Sequence, residues 1–181
     1  MQDLSVLDDY LQWTMGRLCP LSGAASSAAL PTELAVVDGL FGVNSRFADI
    51  NEAFGSGAAT RTRVVEGVPE SLRVSVEHRY ELSPWPMLDF VILESKDGLA
   101  WGYTFERHTG IATPLIDNVD KLSRWSHVET EVRAALGLPL SGEAWPPWSS
   151  AVYRDGSAAI SLCYVFGLLQ SVQYLDTHDS N

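Results

Sequence analysis

The chain has 181 residues, 46% of them hydrophobic, and its 12 Lys and Arg oppose 23 Asp and Glu, for a formal net charge of −11. Such a composition is typical of a globular protein. It disfavours direct binding to nucleic acid or to an anionic membrane surface, because both require clustered Lys and Arg. No apolar run reaches the roughly 18 residues of a membrane span, and the N-terminus lacks a secretory-signal pattern, so we expect a cytoplasmic protein.

Residues 1–57 have the periodicity of helices. A first helix is predicted before Pro20 by apolar residues at helical spacing: Leu4, Leu7, Leu11, Met15 and Leu18. The small, proline-bounded segment that follows predicts a linker. A second helix is predicted from Thr32 to about Phe41, and a third carries three apolar residues on one face: Phe47, Ile50 and Phe54.

The period changes to that of strands after residue 60. Residues 71–82 alternate strictly, with His78 among the apolar positions and Glu77 and Arg79 among the polar ones, which predicts a strand with one solvated face. Two further strands are predicted on either side of a turn at residues 96–98, and a short edge strand at residues 110–115.

A helix is predicted from Asp120 to a stop at Gly137, with Trp125 on its apolar stripe. Two strands around the turn Asp155-Gly156 follow, and the final segment fits either a helix or a strand. The predicted fold class is therefore α+β: an antiparallel β-sheet meander with N-terminal helices and one helix inserted before the final strands. We expect one domain over 1–181, with a helical part at 1–57 and the sheet with its inserted helix at 58–181.

Enzyme motifs are absent from the sequence. No phosphate-binding glycine loop, HExxH or GxSxG pattern occurs, and the four histidines are widely separated. We therefore expect no catalytic residues, no cofactor and no metal. The two cysteines form no CxxC pair and are expected to be buried thiols, although the sequence leaves a disulfide between Cys19 and Cys163 open.

Two catalytic arrangements can still be drawn from the sequence. Cys163 with His78 or His108 would form a Cys–His site, but Cys163 lies in an apolar run and His78 on an apolar strand face, where a hydrogen-bonded core histidine is expected. The carboxylate pairs Glu77/Glu81 and Glu94/Glu106 would suit acid–base chemistry. Solvated strand faces are the commoner place for such acids, and we expect that here.

Three tryptophans lie beside prolines, in segments predicted to be stiff connections outside regular elements. Either these rings fold back over the ends of the sheet, or one or two stay exposed and anchor a partner protein. Under the second hypothesis, neighbouring polar residues surround the anchors. The predicted partner-binding residues are Trp85, Asp89, Glu143, Trp145, Trp148, Tyr153 and Asp155.

In size, acidic charge and layout the chain resembles the small immunity proteins of bacterial polymorphic-toxin systems. That resemblance implies a stoichiometric inhibitor that covers the active cleft of a partner protein, such as a basic toxin domain. It assigns no site residues. Two alternatives stay open: a small-molecule-binding or enzymatic domain with a pocket between sheet and helices, and a scaffold subunit that self-associates through its aromatic loops or an uncovered strand.

Overall fold

The computed structural model describes residues 4–18, 32–41, 45–55, 57–156 and 158–175. The chain divides into two compact units, one of Met1–Trp13 with Ser27–His108 and one of Thr14–Ser26 with Thr109–Asn181. The predicted α+β class with antiparallel strands is confirmed, but the strands form two four-stranded sheets rather than one continuous meander. A single domain that contains both units stays a prediction.

The first unit contains most of the predicted helices and the first sheet. Strand order follows chain order, with every pair antiparallel. Helix α1 begins in this unit and runs past its boundary. The elements are α1 (Ser5–Leu18), α2 (Thr32–Leu40), α3 (Phe47–Phe54), β1 (Ala59–Val64), α4 (Glu70–Arg73), β2 (Val74–Glu81), β3 (Leu88–Glu94) and β4 (Ala100–Arg107).

One face of the first sheet forms an aromatic core with the helices. The buried side chains of α3 are the three that its sequence period predicts, Phe47, Ile50 and Phe54. Phe90 of β3 is fully buried, and its ring centroid lies 5.9 Å from that of Phe41 and 5.3 Å from that of Phe105. The predicted third helix is thus confirmed, and it ends at Gly55, whose φ of 84° suits a residue without a β-carbon.

The turn between β3 and β4 has the predicted chemistry. The backbone N–H of Ser95 donates to the carbonyl of Leu99 over 2.8 Å, and Gly98 supplies a φ of 75°. This turn fixes the register of β3 against β4, apart from an irregularity between Leu93 and Glu94. Consequently Leu88 lies opposite Arg107, and the residues at the end of β4 meet the start of β3.

The second unit contains the remaining elements. They are a 3-10 turn (Val119–Lys121), α5 (Glu129–Leu136), β5 (Ser141–Trp145), β6 (Trp148–Asp155), β7 (Ala158–Val165) and β8 (Leu168–Leu175), with the four strands paired in chain order. The final described segment is therefore a strand. The core of the unit is formed by Val119, Leu122, Val132, Ala151, Tyr153, Ile160, Leu162, Tyr164 and Leu169.

One predicted element of this unit is longer than the observed one, and another is wrong. The helix expected from Asp120 is α5 alone, because Trp125 has a φ of 62° that no helix accommodates, and its backbone N–H donates to Leu169 in the sheet. The 3-10 turn is capped by Asn118, whose side chain accepts from the backbone N–H of Lys121. The strand expected at residues 110–115 is absent from the described chain, and Pro114 there lacks an N–H for pairing.

Replacing Phe90 with Ala tests the aromatic core. We expect Phe90→Ala to lower the free energy of unfolding by about 3–5 kcal/mol, because it leaves a cavity among packed rings. The measurement is denaturant-induced unfolding followed by circular dichroism. As the control, Met87→Ala alters a side chain that is 48% exposed and should change stability little. Equal losses in the two variants would contradict this packing.

Candidate functional site

The two tryptophans of the Trp-Pro-Pro-Trp stretch belong to a β-hairpin. Trp145 ends β5, Trp148 begins β6, and the two lie opposite each other across a two-residue turn whose Pro146–Pro147 peptide bond is cis. The prediction that these rings lie outside regular elements is therefore wrong. Proline was expected to interrupt structure here, but at a turn neither proline has to donate a ladder hydrogen bond.

The two rings of the hairpin differ in exposure. Trp145 is 75% exposed, whereas Trp148 is partly buried and directs its indole N–H at the sulfur of Cys163, 2.9 Å away. Large apolar side chains lose most from contact with water, so an exposed tryptophan at a hairpin tip is an unusual feature for a solvated surface. Trp145 is the ring that faces outward.

Strand β5 is an exposed edge of the second sheet. All five of its residues are exposed, and among the described strands it pairs with β6 only. Leu138 and Leu140, just before the strand, are 77% and 57% exposed. An edge of this kind leaves backbone N–H and C=O groups available to another chain. The hairpin thus presents an apolar tip, two exposed leucines and an open edge, with Glu143 as the acidic side chain of β5.

The seven predicted partner-binding residues differ in exposure, and three of them are buried. Glu143 and Trp145 are exposed on β5, Trp148 adjoins them, and Asp155 lies partly buried at the far end of β6. Tyr153 is 2% exposed within the core of the second unit. The other two, Trp85 and Asp89, belong to the first unit, and each is buried there.

Trp85 and Asp89 have structural roles instead. The Trp85 ring folds inward and makes an edge contact with Phe105 at a centroid distance of 5.1 Å, which corresponds to the alternative that these rings cover the sheet. Asp89 accepts hydrogen bonds from Arg79 and His108. The prediction that their side chains face a partner therefore does not fit their burial.

The second face of the first sheet carries a charge network around buried Glu77, Arg79 and Asp89, with other members of the network nearer solvent, rather than the solvated face that the alternation predicts. Glu77 has no exposed side-chain surface, and its carboxylate contacts Arg61 at 2.8 Å, Arg79 at 2.6 Å and Arg63 at 3.1 Å. Burial alone would raise the pKa of Glu77, but the hydrogen bonds from Arg61 and Arg79 outweigh it and hold the pKa below its usual value. Only such pairing makes a buried carboxylate tolerable.

Arg79 connects the rest of this network. Its guanidinium donates to Glu77, to Asp89 at 2.9 Å and to Glu106, and Arg63 also contacts Glu106. Arginine therefore separates the carboxylates on this face. The two carboxylate pairs considered above for acid–base chemistry are not formed. Glu77 of the pair Glu77/Glu81 binds arginines, and Glu94 of the pair Glu94/Glu106 binds His78.

His78 is the core histidine that its strand position predicts. It is 6% exposed, its Nε2 lies 2.8 Å from Glu94, and its ring stacks on Phe47 at a centroid distance of 3.6 Å. Cys163 is disulfide-bonded, so the expected free thiol at this position is wrong and no thiolate is available for a Cys–His site. The other cysteine of the chain, Cys19, lies outside the described residues.

A pair that the sequence did not reveal lies at the end of the first sheet. His108 directly follows β4, and its Nδ1 lies 2.8 Å from the carboxylate of Asp89. The hydrogen bond from the imidazole to Asp89, with the attraction between their charges, raises the pKa of His108. The pair borders a pocket of about 330 Å³, lined by Glu81, Leu82, Ser83, Pro86, Leu88, Asp89 and His108.

The His108–Asp89 pair could have been found from strand register alone. Counting outward from the turn at residues 96–98 places the end of β4 beside the start of β3. The irregularity between Leu93 and Glu94 shifts the counted register by one residue. Each residue looked isolated in the sequence because nineteen positions separate them.

Comparisons of the chain with protein-family models, curated proteins and solved structures found no match. Within the described residues, no group of three or more His, Cys, Asp or Glu side chains could hold a metal ion. None of the described helices combines the length and apolar character needed to cross a membrane. Function has to be inferred from the hairpin and the pocket.

Glu77→Gln tests the charge network. The amide leaves three arginines without their central carboxylate, and we expect the free energy of unfolding at pH 7 to fall by about 3–5 kcal/mol. Because the folded-state pKa of Glu77 is depressed, its stabilisation is present at neutral pH and is lost as the pH falls below 4.5. The difference between wild type and variant should therefore shrink in acid.

The control for this experiment is Glu66→Gln, since Glu66 is 80% exposed and lies 3.7 Å from Arg73 at the surface. Denaturant unfolding at several pH values measures both variants. A wild type and Glu77→Gln variant of equal stability at pH 7 would show that the network contributes nothing.

Asp89→Asn tests the His108 pair. Removal of the carboxylate charge should lower the pKa of His108 towards 6.5, as followed by NMR titration of the ring protons. Since the folded-state pKa is the higher one, protonation of His108 stabilises the fold below pH 6.5, and this contribution disappears as the pH rises through the folded-state pKa. Glu81→Gln should lower the same pKa less. An unchanged pKa in Asp89→Asn would refute the pairing.

Proposed function

We propose that this chain is a non-catalytic protein-binding module that docks on a partner protein through the β5–β6 hairpin, with Trp145 as the anchor. The observation that carries the proposal is the 75% exposure of Trp145 at the tip of a strand with an open edge. Tryptophan is enriched among the residues that dominate binding energy at protein interfaces, and it has few rotamers to lose.

The edge of β5 provides a second means of attachment. A partner segment in extended conformation can pair with the backbone of β5, while side chains on alternate positions supply specificity. Leu138 and Leu140, both exposed, would add apolar area beside that contact. Backbone pairing and an inserted indole are complementary, because the first sets direction and register and the second supplies buried area.

Charge supports a basic partner. The net charge of −11 gives the molecule a negative field that attracts positive surfaces and speeds their encounter. Glu143, exposed on β5, places one acidic group within the docking surface. An acidic module that covers a basic cleft acts as a stoichiometric inhibitor, which is the role implied by the resemblance to immunity proteins of polymorphic-toxin systems.

A cytoplasmic location is part of this proposal, since an inhibitor of this type acts where its partner would do harm. One observation opposes it. Cys163 is disulfide-bonded, and disulfides are rare in the reducing cytosol. The docking surface does not depend on the compartment.

Trp145→Ala tests the anchor. A partner is first isolated from the native host with the wild-type chain and purified, and its dissociation constant is measured by calorimetry. We expect Trp145→Ala to weaken binding by about 30-fold or more, as truncation of an interface anchor does. The matched control is Leu115→Ala, which removes a side chain that is 77% exposed in the same unit but lies outside the hairpin.

Several outcomes separate the alternatives. Unchanged affinity in Trp145→Ala would end the docking proposal. Concentration-dependent dimers that Trp145→Ala dissolves would favour the self-associating scaffold instead. If the partner binds at one-to-one stoichiometry yet keeps its own activity, the hairpin is a docking element and the inhibitor role is wrong.

A further inference from the structure

The pocket beside His108 holds a distinct set of polar groups. Its lining residues all belong to the first unit, at the loop between β2 and β3 and the end of β4. Its volume of about 330 Å³ lies within the range of small-ligand sites. Leu82, Pro86 and Leu88 form an apolar part of its lining, and Glu81, Ser83 and His108 contribute polar atoms.

Asp89 determines which nitrogen of His108 carries the proton. Its carboxylate is buried and accepts a charge-assisted hydrogen bond from Arg79. A carboxylate paired with an arginine acts as a hydrogen-bond acceptor, so the Nδ1 of His108 donates across the 2.8 Å contact. In the neutral imidazole the proton is then on Nδ1, and Nε2 presents a lone pair.

One carboxylate among the residues that line the pocket has no arginine partner. Asp89, which also lines it, belongs with Glu77 and Glu106 to the network that Arg61, Arg63 and Arg79 complete. Glu81 is exposed and has no ion pair among the described residues. With His108 neutral, the lining side chains therefore include one uncompensated negative charge and three acceptors: the carboxylate of Glu81, the hydroxyl of Ser83 and Nε2 of His108.

We propose that this pocket binds a primary ammonium group carried on a short apolar chain. An ammonium group has three N–H donors, which matches the three acceptors, and its charge compensates Glu81. The apolar chain would lie along Leu82, Pro86 and Leu88. A free alkylamine and the side chain of a lysine in a peptide share this chemistry, and either can be the source.

Binding depends on the protonation of His108. Protonation converts Nε2 from acceptor to donor and adds a positive charge beside the ligand, so ammonium binding weakens as the pH falls through the pKa of His108. The charged groups that act on His108 are Asp89, Glu81 and Arg79. By linkage, a bound ammonium group must lower the pKa of His108.

The test uses the full chain and NMR of the His108 ring. Titration with n-butylammonium at a pH above the pKa of His108 should give a saturable shift, and n-butanol, which has the same chain without the charge, should give none. Glu81→Gln should weaken n-butylammonium binding about tenfold, because a charge-assisted hydrogen bond is lost. Glu52→Gln, which alters an exposed acid on α3, is the matched control and should bind as wild type does.

The same titration with N-acetyl-lysine N-methylamide identifies the source. Tighter binding of the lysine compound indicates a peptide ligand, and tighter binding of n-butylammonium indicates a free amine. No saturable shift with either amine would overturn the proposal, as would an equal response to n-butanol. Equal weakening in Glu81→Gln and Glu52→Gln would show a general charge effect and would also overturn it. Ser83→Ala, which leaves every charge in place, should weaken binding without altering the pKa of His108.

Discussion

Arg79 is the residue on which the charged face of the first sheet depends. Its guanidinium donates to three carboxylates at once, those of Glu77, Asp89 and Glu106. A buried charge is costly unless it is compensated, so the buried residues of this face stabilise the fold only while each of them is paired. Because Asp89 is held by Arg79 within that set, its second carboxylate oxygen is placed to accept the hydrogen bond that orients His108. The chemistry of the pocket thus follows from the packing of the sheet.

The second unit differs from the first in the composition of its core. Its core is almost wholly apolar, and its first strand leaves one edge to solvent. Trp145 at the tip precedes two prolines, whose rings restrict the backbone of the turn. A preformed edge and a preformed anchor reduce the entropy lost on association. This arrangement supports the proposed docking on a partner protein, whereas the pocket of the first unit supports the proposed binding of an ammonium group.

The sequence predicted local elements well where period and turn residues agree. The face of α3 and the turn at Gly98 follow from spacing and backbone geometry alone. Alternation in β2 predicted two faces but not what each would contact, and Glu77 was placed in water although it is buried. Trp145 was placed outside a strand because proline usually interrupts pairing. The pair of Asp89 and His108 depends on register between strands, which a list of motifs does not contain.

The tautomer of His108 reports whether Asp89 is the acceptor of its hydrogen bond. The ¹⁵N chemical shifts of its imidazole, measured at a pH where the ring is neutral, report which nitrogen holds the proton. If the Asp89 carboxylate accepts the hydrogen bond from His108, Nδ1 is protonated and Nε2 has the shift of an unprotonated nitrogen. A ring that carries its proton mainly on Nε2 would contradict the account, because Asp89 would then not be the acceptor that orients it.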